Sequence, residues 1–454
     1  MHALVVRGGT LVTPTDIFVA DIGIDDGVIT AWGGRLAGRR TLDADGLLVI
    51  PGAVDPHVHL EMPVGPTQSS DDWATGTRAA AVGGTTTLID FVEADLGAAL
   101  LGALAARRAQ ADGRAVIDYG LHMTLREMTP ATLAEIPAVV AAGCPSFKTY
   151  LTYAGFYLDD STFIQALEAV GKAGGLVLVH AENHGLVEHL RRRLPAEGHT
   201  GPRYHALSRP VAAEAEAIER ATALAEATGC PLYVVHVSTA RGAAAVARAR
   251  ARGQTVYGET CPQYLLLTEA ELDRPGFEGA KFVCSPPLRP AGNGEALWAG
   301  LAASSLQTVG TDHCPFFYQG QKELGREVFT GIPNGLPGIE TRLALLHTFG
   351  VGAGRLSLNQ WVQVCCANPA RIFGLYPRKG TLVPGADADI VLFDPQATVT
   401  LTKDRLHENV DYTPYAGLTL RGYPHLTLAR GEVIAAEGNY VGPAGGGRFL
   451  ARPL

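Results

Sequence analysis

The middle of this chain alternates short apolar runs with helical stretches, and that rhythm narrows the possible folds more than any other feature. Residues 85–91, 115–119, 176–180, 232–236 and 255–260 are rich in Val, Ile, Leu, Thr and Tyr, as buried strands are. Helical sequence lies between them, near 213–228 and 239–252. In a further helix, Asp160 can act as cap, Phe163, Ile164, Leu167 and Val170 share one face, and Gly174 can end it. Strands separated by helices in this way pair in parallel, so an α/β fold of the (β/α)8 TIM-barrel type is expected over 51–377. The alternative is a doubly wound open sheet, but no G-x-G-x-x-G follows a strand to support it.

The two ends read differently. Residues 1–50 form short strands with turns at Gly8-Gly9 and at Asp25-Asp26-Gly27, and 378–440 read the same way. One small β-sandwich domain built from both termini is therefore expected, followed by a Gly- and Pro-rich extended arm at 441–454.

With 454 residues, 47% of them hydrophobic, the chain can bury a large core. The net charge of -8 is scattered, with no basic stripe for nucleic acid. No apolar run approaches membrane-spanning length, and the first nine residues read as a strand and turn, not a signal peptide. Seven cysteines, an odd number without C-x-x-C spacing, suit reduced thiols and a cytoplasmic location.

Chemistry-bearing residues collect where strands are expected to end. His57 and His59 are two apart, so they point to one side of a strand and can share one metal ion. Lys148, His180, His236 and Asp312 follow at later strand ends, which a barrel brings to one mouth. His2, His122, His184, His189, His199, His205, His347, His407 and His425 lack that placement and read as structural. His313 is expected to point away or to support a ligand from behind.

Several motifs carry a resemblance to a known family: DPHVH at 55–59, FKTYLTY at 147–153, HAEN at 180–183, GETCPQYL at 258–265, CSPPLR at 284–289, TDHCPF at 311–316 and IPNGLPG at 332–338. Nearly end to end, the chain resembles the cyclic amidohydrolases of the hydantoinase/dihydropyrimidinase branch. Residues 202–210 and 147–153 are most similar to phenylhydantoinase-type D-hydantoinases.

The resemblance implies two divalent metal ions per subunit, one held by His57, His59 and Asp312 and the other by His180 and His236. Lys148 would bridge them as N6-carboxylysine, since a plain ammonium beside two cations would be repelled. Zinc suits imidazole and oxygen ligands, with manganese as the alternative. Asp312 would shuttle the proton, Tyr153 would donate its O–H to the developing oxyanion, and Ser285 and Asn334 would hydrogen-bond the cyclic amide. The implied reaction opens 5-substituted hydantoins or dihydropyrimidines to N-carbamoyl amino acids. An allantoinase or another cyclic ureide hydrolase is the alternative, and a metal-free scaffold is disfavoured because all six ligand positions are filled.

Ring choice falls to the loops. Dihydroorotases carry an arginine two residues after the second histidine, and here that position is Glu61, whose charge is expected to repel a carboxylated ring. Met62, Pro63, Val64, Phe156, Tyr157 and Leu158 suggest an apolar pocket for a hydrophobic or aromatic 5-substituent. Glu93 and Asp95 lie near a strand end with no assigned role. Residues 407–417 resemble the C-terminal signature of the family, which implies a homotetramer.

Overall fold

The computed structural model describes residues 1–454. Eight parallel strands stand side by side in chain order: Ala53–Val58, Thr85–Val92, Asp118–Thr124, Ser146–Tyr150, Leu176–His180, Leu232–Val234, Val256–Thr260 and Thr308–Val309. A bridge between Val58 and His313 joins the last to the first and closes the ring. Nearly every residue of these strands is buried, because the barrel fills one face and helices cover the other. Helices lie in each of the seven connections, among them Trp73–Val82, Leu100–Ala111, Pro130–Ala141 and Val211–Thr228. Arg342, fully buried, donates to the carbonyls of Val54 (3.0 Å) and Val309 (2.7 Å), tying the first strand to the eighth.

Local boundaries depart from the sequence reading in instructive ways. The third strand begins at Asp118, not at Ala115, whose N–H still donates to Ala111 O of the preceding helix (2.9 Å) and whose carbonyl accepts the N–H of Gly447 (2.8 Å). The helix Asp160–Lys172 is capped by Asp159, whose carboxylate accepts the N–H of Thr162 at 2.8 Å. Gly8-Gly9 is not a turn: strand His2–Val12 runs through it with a shift of register. Asp25-Asp26-Gly27 does turn, with Asp26 and Gly27 both at positive φ (52° and 78°).

Both termini contribute to one nine-stranded sheet, where Leu48–Pro51 pairs with Ile390–Thr400. The sheet curls until Val28 bridges Asp387, enclosing Leu4, Ile22, Ile29, Val49, Leu382 and Ile390 in a core of its own. The C-terminal residues lie along the third strand, with hydrogen bonds from Tyr119 N–H to Arg448 O (2.9 Å) and from Leu450 N–H to Tyr119 O (2.7 Å). Arg452 is buried there against Phe373 and Ser146. No helix is long and apolar enough to cross a membrane.

Candidate metal centre

The first strand delivers His57 and, one residue past its end, His59. Their Nε2 atoms are 3.2 Å apart and lie 3.1 and 3.4 Å from Asp312 Oδ1. Lys148 comes from the fourth strand and His180 ends the fifth. His236 stands two residues beyond the sixth strand and Asp312 three beyond the eighth. The rings of His57 and His180 lie 5.4 and 4.6 Å from that of His236. All six side chains, with Tyr153, Ser285 and Asn334, line one cavity of about 550 Å³ at the C-terminal mouth of the barrel.

Three of these residues hold a left-handed backbone: Tyr153 (φ 72°), His236 (φ 42°) and Asp312 (φ 51°). Such conformations cost on the order of 1–3 kcal/mol each and persist only where surrounding contacts over-determine them. For His236 the hold is visible: its N–H donates to Glu259 Oε1 at 3.0 Å. For Asp312 it is Asp55, which accepts the N–H (3.1 Å) and hydroxyl (2.7 Å) of the adjoining Thr311.

Carboxylates behind the histidines fix which ring nitrogen faces the cavity. Glu259 also accepts from Tyr233 Oη at 2.8 Å, and it takes His57 Nδ1 at 2.7 Å. Gly310 leaves room for it, since a Cβ there would lie 2.6 Å from Glu259 Oε2. His57 thus donates through Nδ1 and presents the Nε2 lone pair. Glu182 takes His180 Nε2 at 2.7 Å and is itself held by Arg209, leaving Nδ1 of His180 available. Both glutamates sit in the HAEN and GETC motifs without a role assigned from sequence. For Glu182 a signal was present, because two residues after His180 is the same side of the chain.

Burial dominates the electrostatics. It pushes His57 and His236 well below the ordinary imidazole range, with the Lys148 charge adding to the effect, so both rings are neutral. His180 is lowered by burial, against the pull of Glu182. Burial also draws the Lys148 ammonium down to about 8, against the carboxylates of Asp312, Glu259 and Glu93. Burial raises Asp312, but His57 and His59 outweigh it and hold the carboxyl below its usual range. Tyr153 is pushed up to about 12 by burial, so it keeps its phenolic proton.

Three acceptor-bearing groups, His57, His59 and Asp312, therefore converge so that their ligating atoms all lie within 4.8 Å of one another. Imidazole nitrogens facing a carboxylate oxygen at 3.1 and 3.4 Å suit a divalent cation between them. The donor set of two nitrogens and one oxygen fits the metal expected there.

Other expectations need correction. Glu61 does not line this cavity. Its carboxylate is paired with both terminal nitrogens of Arg114 at 3.1 Å each, an arginine it shares with Asp72, and is not presented to a ring bound in the cavity. Met62, Pro63, Val64 and Phe156 do line the cavity; Tyr157 and the buried Leu158 do not. The wall is also less apolar than expected, because Glu93, Asp95, Arg126 and Arg191 reach it. His205, read as structural, stands behind Ser285, with Nε2 2.8 Å from Cys284 O and 3.3 Å from Ser285 Oγ. His313 points away, with Nε2 3.0 Å from Asp71 and Nδ1 accepting the N–H of Gly338 at 3.1 Å.

Residues 48–434 match the family model described as amidohydrolase family. The chain is 46% identical to a D-hydantoinase of Streptomyces coelicolor, over 99% of this chain and 97% of that relative. A D-phenylhydantoinase of Escherichia coli is 42% identical, over 99% and 98%. Among solved structures, a dihydropyrimidinase from Brevibacillus agri superposes with a TM-score of 0.98 at 45% identity, covering 99% of this chain and 98% of the other.

Proposed function

Because this chain belongs to the amidohydrolase family, we propose that it is a metal-dependent cyclic amide hydrolase of the D-hydantoinase type, opening 5-substituted hydantoins and dihydropyrimidines to N-carbamoyl amino acids. The observation that carries this reading is the convergence of His57, His59 and Asp312 on one cation-sized gap at the floor of the cavity.

His57, His59 and Asp312 would hold one divalent ion, and His180 and His236 a second. Lys148 would serve both as its N-carboxylated form. Its lowered pKa favours the free amine, which forms an N–C bond to carbon dioxide and releases a proton. Zinc is the ion we propose, with manganese as the alternative. When bound, the ions supply Lewis acidity toward water and toward the scissile carbonyl.

The side chains do the rest. Asp312 accepts a proton from the attacking water as the O–C bond forms. It returns that proton to the ring nitrogen as the C–N bond breaks, leaving a carbamoyl NH2 and a carboxylic acid that releases its proton to solvent as the carboxylate. Tyr153, still protonated at neutral pH, donates to the carbonyl oxygen as negative charge gathers on it. Ser285 and Asn334, joined by a 3.1 Å hydrogen bond from Nδ2 to Oγ, face the ring amide.

A homotetramer is proposed from the resemblance of residues 407–417, and light scattering tests it. A reducing, cytoplasmic setting suits seven buried, unpaired cysteines.

The test is metal analysis of the purified protein with rates on both enantiomers of 5-phenylhydantoin, on dihydrouracil and on allantoin. Two divalent ions per chain and turnover of the D-hydantoin are expected. Fewer than one ion with no turnover, or hydrolysis of allantoin alone, overturns the reading.

A further inference from the structure

Lys322 is fully buried, in a short 3-10 turn that joins no barrel strand. Its ammonium donates to three main-chain carbonyls: Val283 (2.8 Å), Pro333 (2.7 Å) and Gly335 (2.8 Å). No carboxylate pairs with it, and the Phe316 ring centroid lies 5.7 Å away. The carbonyls belong to two separate loops. Val283 lies two residues before Ser285, while Pro333 and Gly335 flank Asn334.

Those loops are pressed together at the same point. Gly335 donates its N–H to Val283 O at 3.0 Å, and its φ of 153° together with a missing Cβ lets it approach Cys314 O, which a Cβ would meet at 2.3 Å. Ser285 and Asn334 are thereby brought within hydrogen-bond distance at the cavity wall. A buried, unpaired ammonium is costly, and a purely structural link would be cheaper with apolar residues. Burial indeed draws this ammonium down to about 7.

We propose that Lys322 is a positioning residue for substrate: it clamps the Cys284–Ser285 and Pro333–Gly335 loops in the one arrangement that presents both hydrogen-bonding groups to the cyclic amide. It touches neither substrate nor metal. The proposal rests on the assignment of Ser285 and Asn334 to ring binding made above.

The variant K322M keeps the unbranched stem of the side chain, one atom shorter, and removes all three donors. Ring contacts made equally in the ground and transition states act on KM more than on kcat. The KM for D-5-phenylhydantoin should therefore rise about tenfold or more with kcat within about threefold, a loss of about 1.4 kcal/mol per tenfold. The inhibition constant of acetohydroxamate, a ligand for metal alone, should stay within about twofold, as should metal content. K322Q, which keeps two N–H donors, should fall between wild type and K322M. If K322M is recovered unfolded, K322Q decides by the same measurements. An unchanged KM in a folded variant overturns the clamp. So does a parallel loss of KM, acetohydroxamate binding and Tm, which would mark a merely structural lysine. A wild-type enzyme that opens no cyclic ureide would instead fail the functional reading.

Discussion

Lys148 and Lys379 are each 1% exposed, at opposite ends of one barrel, and their surroundings differ in kind. Lys379 sits at the N-terminal end of the third strand, where its Nζ meets Asp118 (2.7 Å), Asp389 (2.8 Å) and Asp387 (2.9 Å). Arg430 pairs with Asp118 as well and donates to Gly446 O at 2.7 Å, so the cluster fastens the terminal sheet and the arm to the barrel floor. Despite burial, the three aspartates raise the Lys379 pKa. At the mouth Lys148 makes no ion pair, and its Nζ lies over the rings of Phe91 at 5.0 Å and Tyr150 at 5.2 Å. Burial wins there and the pKa falls to about 8. Matched charges mark Lys379 as structural, whereas Lys148 stands without a counter-charge among the barrel-mouth histidines, where the proposed carboxylation would replace its positive charge by a negative one.

Replacing each lysine should separate the two ends. K148A should lose about 10³-fold or more in kcat/KM, on the order of 4 kcal/mol of barrier. Its metal content should fall while the Tm of the metal-free protein holds, and short carboxylic acids should restore part of the rate by standing in for the missing carboxylate. Full metal and full rate in K148A would break the distinction.

K379M should do the reverse. Leaving Asp118 and Asp389 buried without their cation should cost about 3–5 kcal/mol in denaturant unfolding. The folded fraction should retain normal metal content and KM. A variant as stable as wild type would show that Arg430 alone holds the floor.

The smallest effect concerns acid. Burial raises the Asp118 carboxyl, but Lys379 and Arg430 outweigh it and hold the pKa below the ordinary value. A depressed carboxyl contributes stability above its unfolded pKa, near 4, and loses it as pH falls through the lower folded value. The unfolding free energy should therefore drop below about pH 4, and D118N should show a shallower slope there. Equal slopes would remove Asp118 from the account.

Much of the site was legible because it is local. His57 and His59 share a side by strand alternation, and His180 closes an apolar run that is a strand from Leu176 to its last residue. The strand ends at 236 and 312 were legible only as sequence positions. The left-handed turns at His236 and Asp312 that aim these side chains depend on Glu259 and Asp55, partners distant in the chain. Asp159 displaced Asp160 as a helix cap because capping turns on one residue of register, which composition does not specify. Glu61 was misjudged for a similar reason. Its type and position were plain, but its partner Arg114 lies 53 residues on, and that pairing decides where its charge goes.

By itself the sequence determined the alternation that makes a barrel and the types of residue that end its strands, since both follow from contacts within a few residues. Only the tertiary structure decided which imidazole nitrogen faces the cavity, which buried lysine is paired, and that Lys322 holds two loops together. It also laid the C-terminal residues along the third strand, where Arg452 is buried. Each of these depends on groups brought together by ring closure and loop packing, and such meetings have no signature in local spacing.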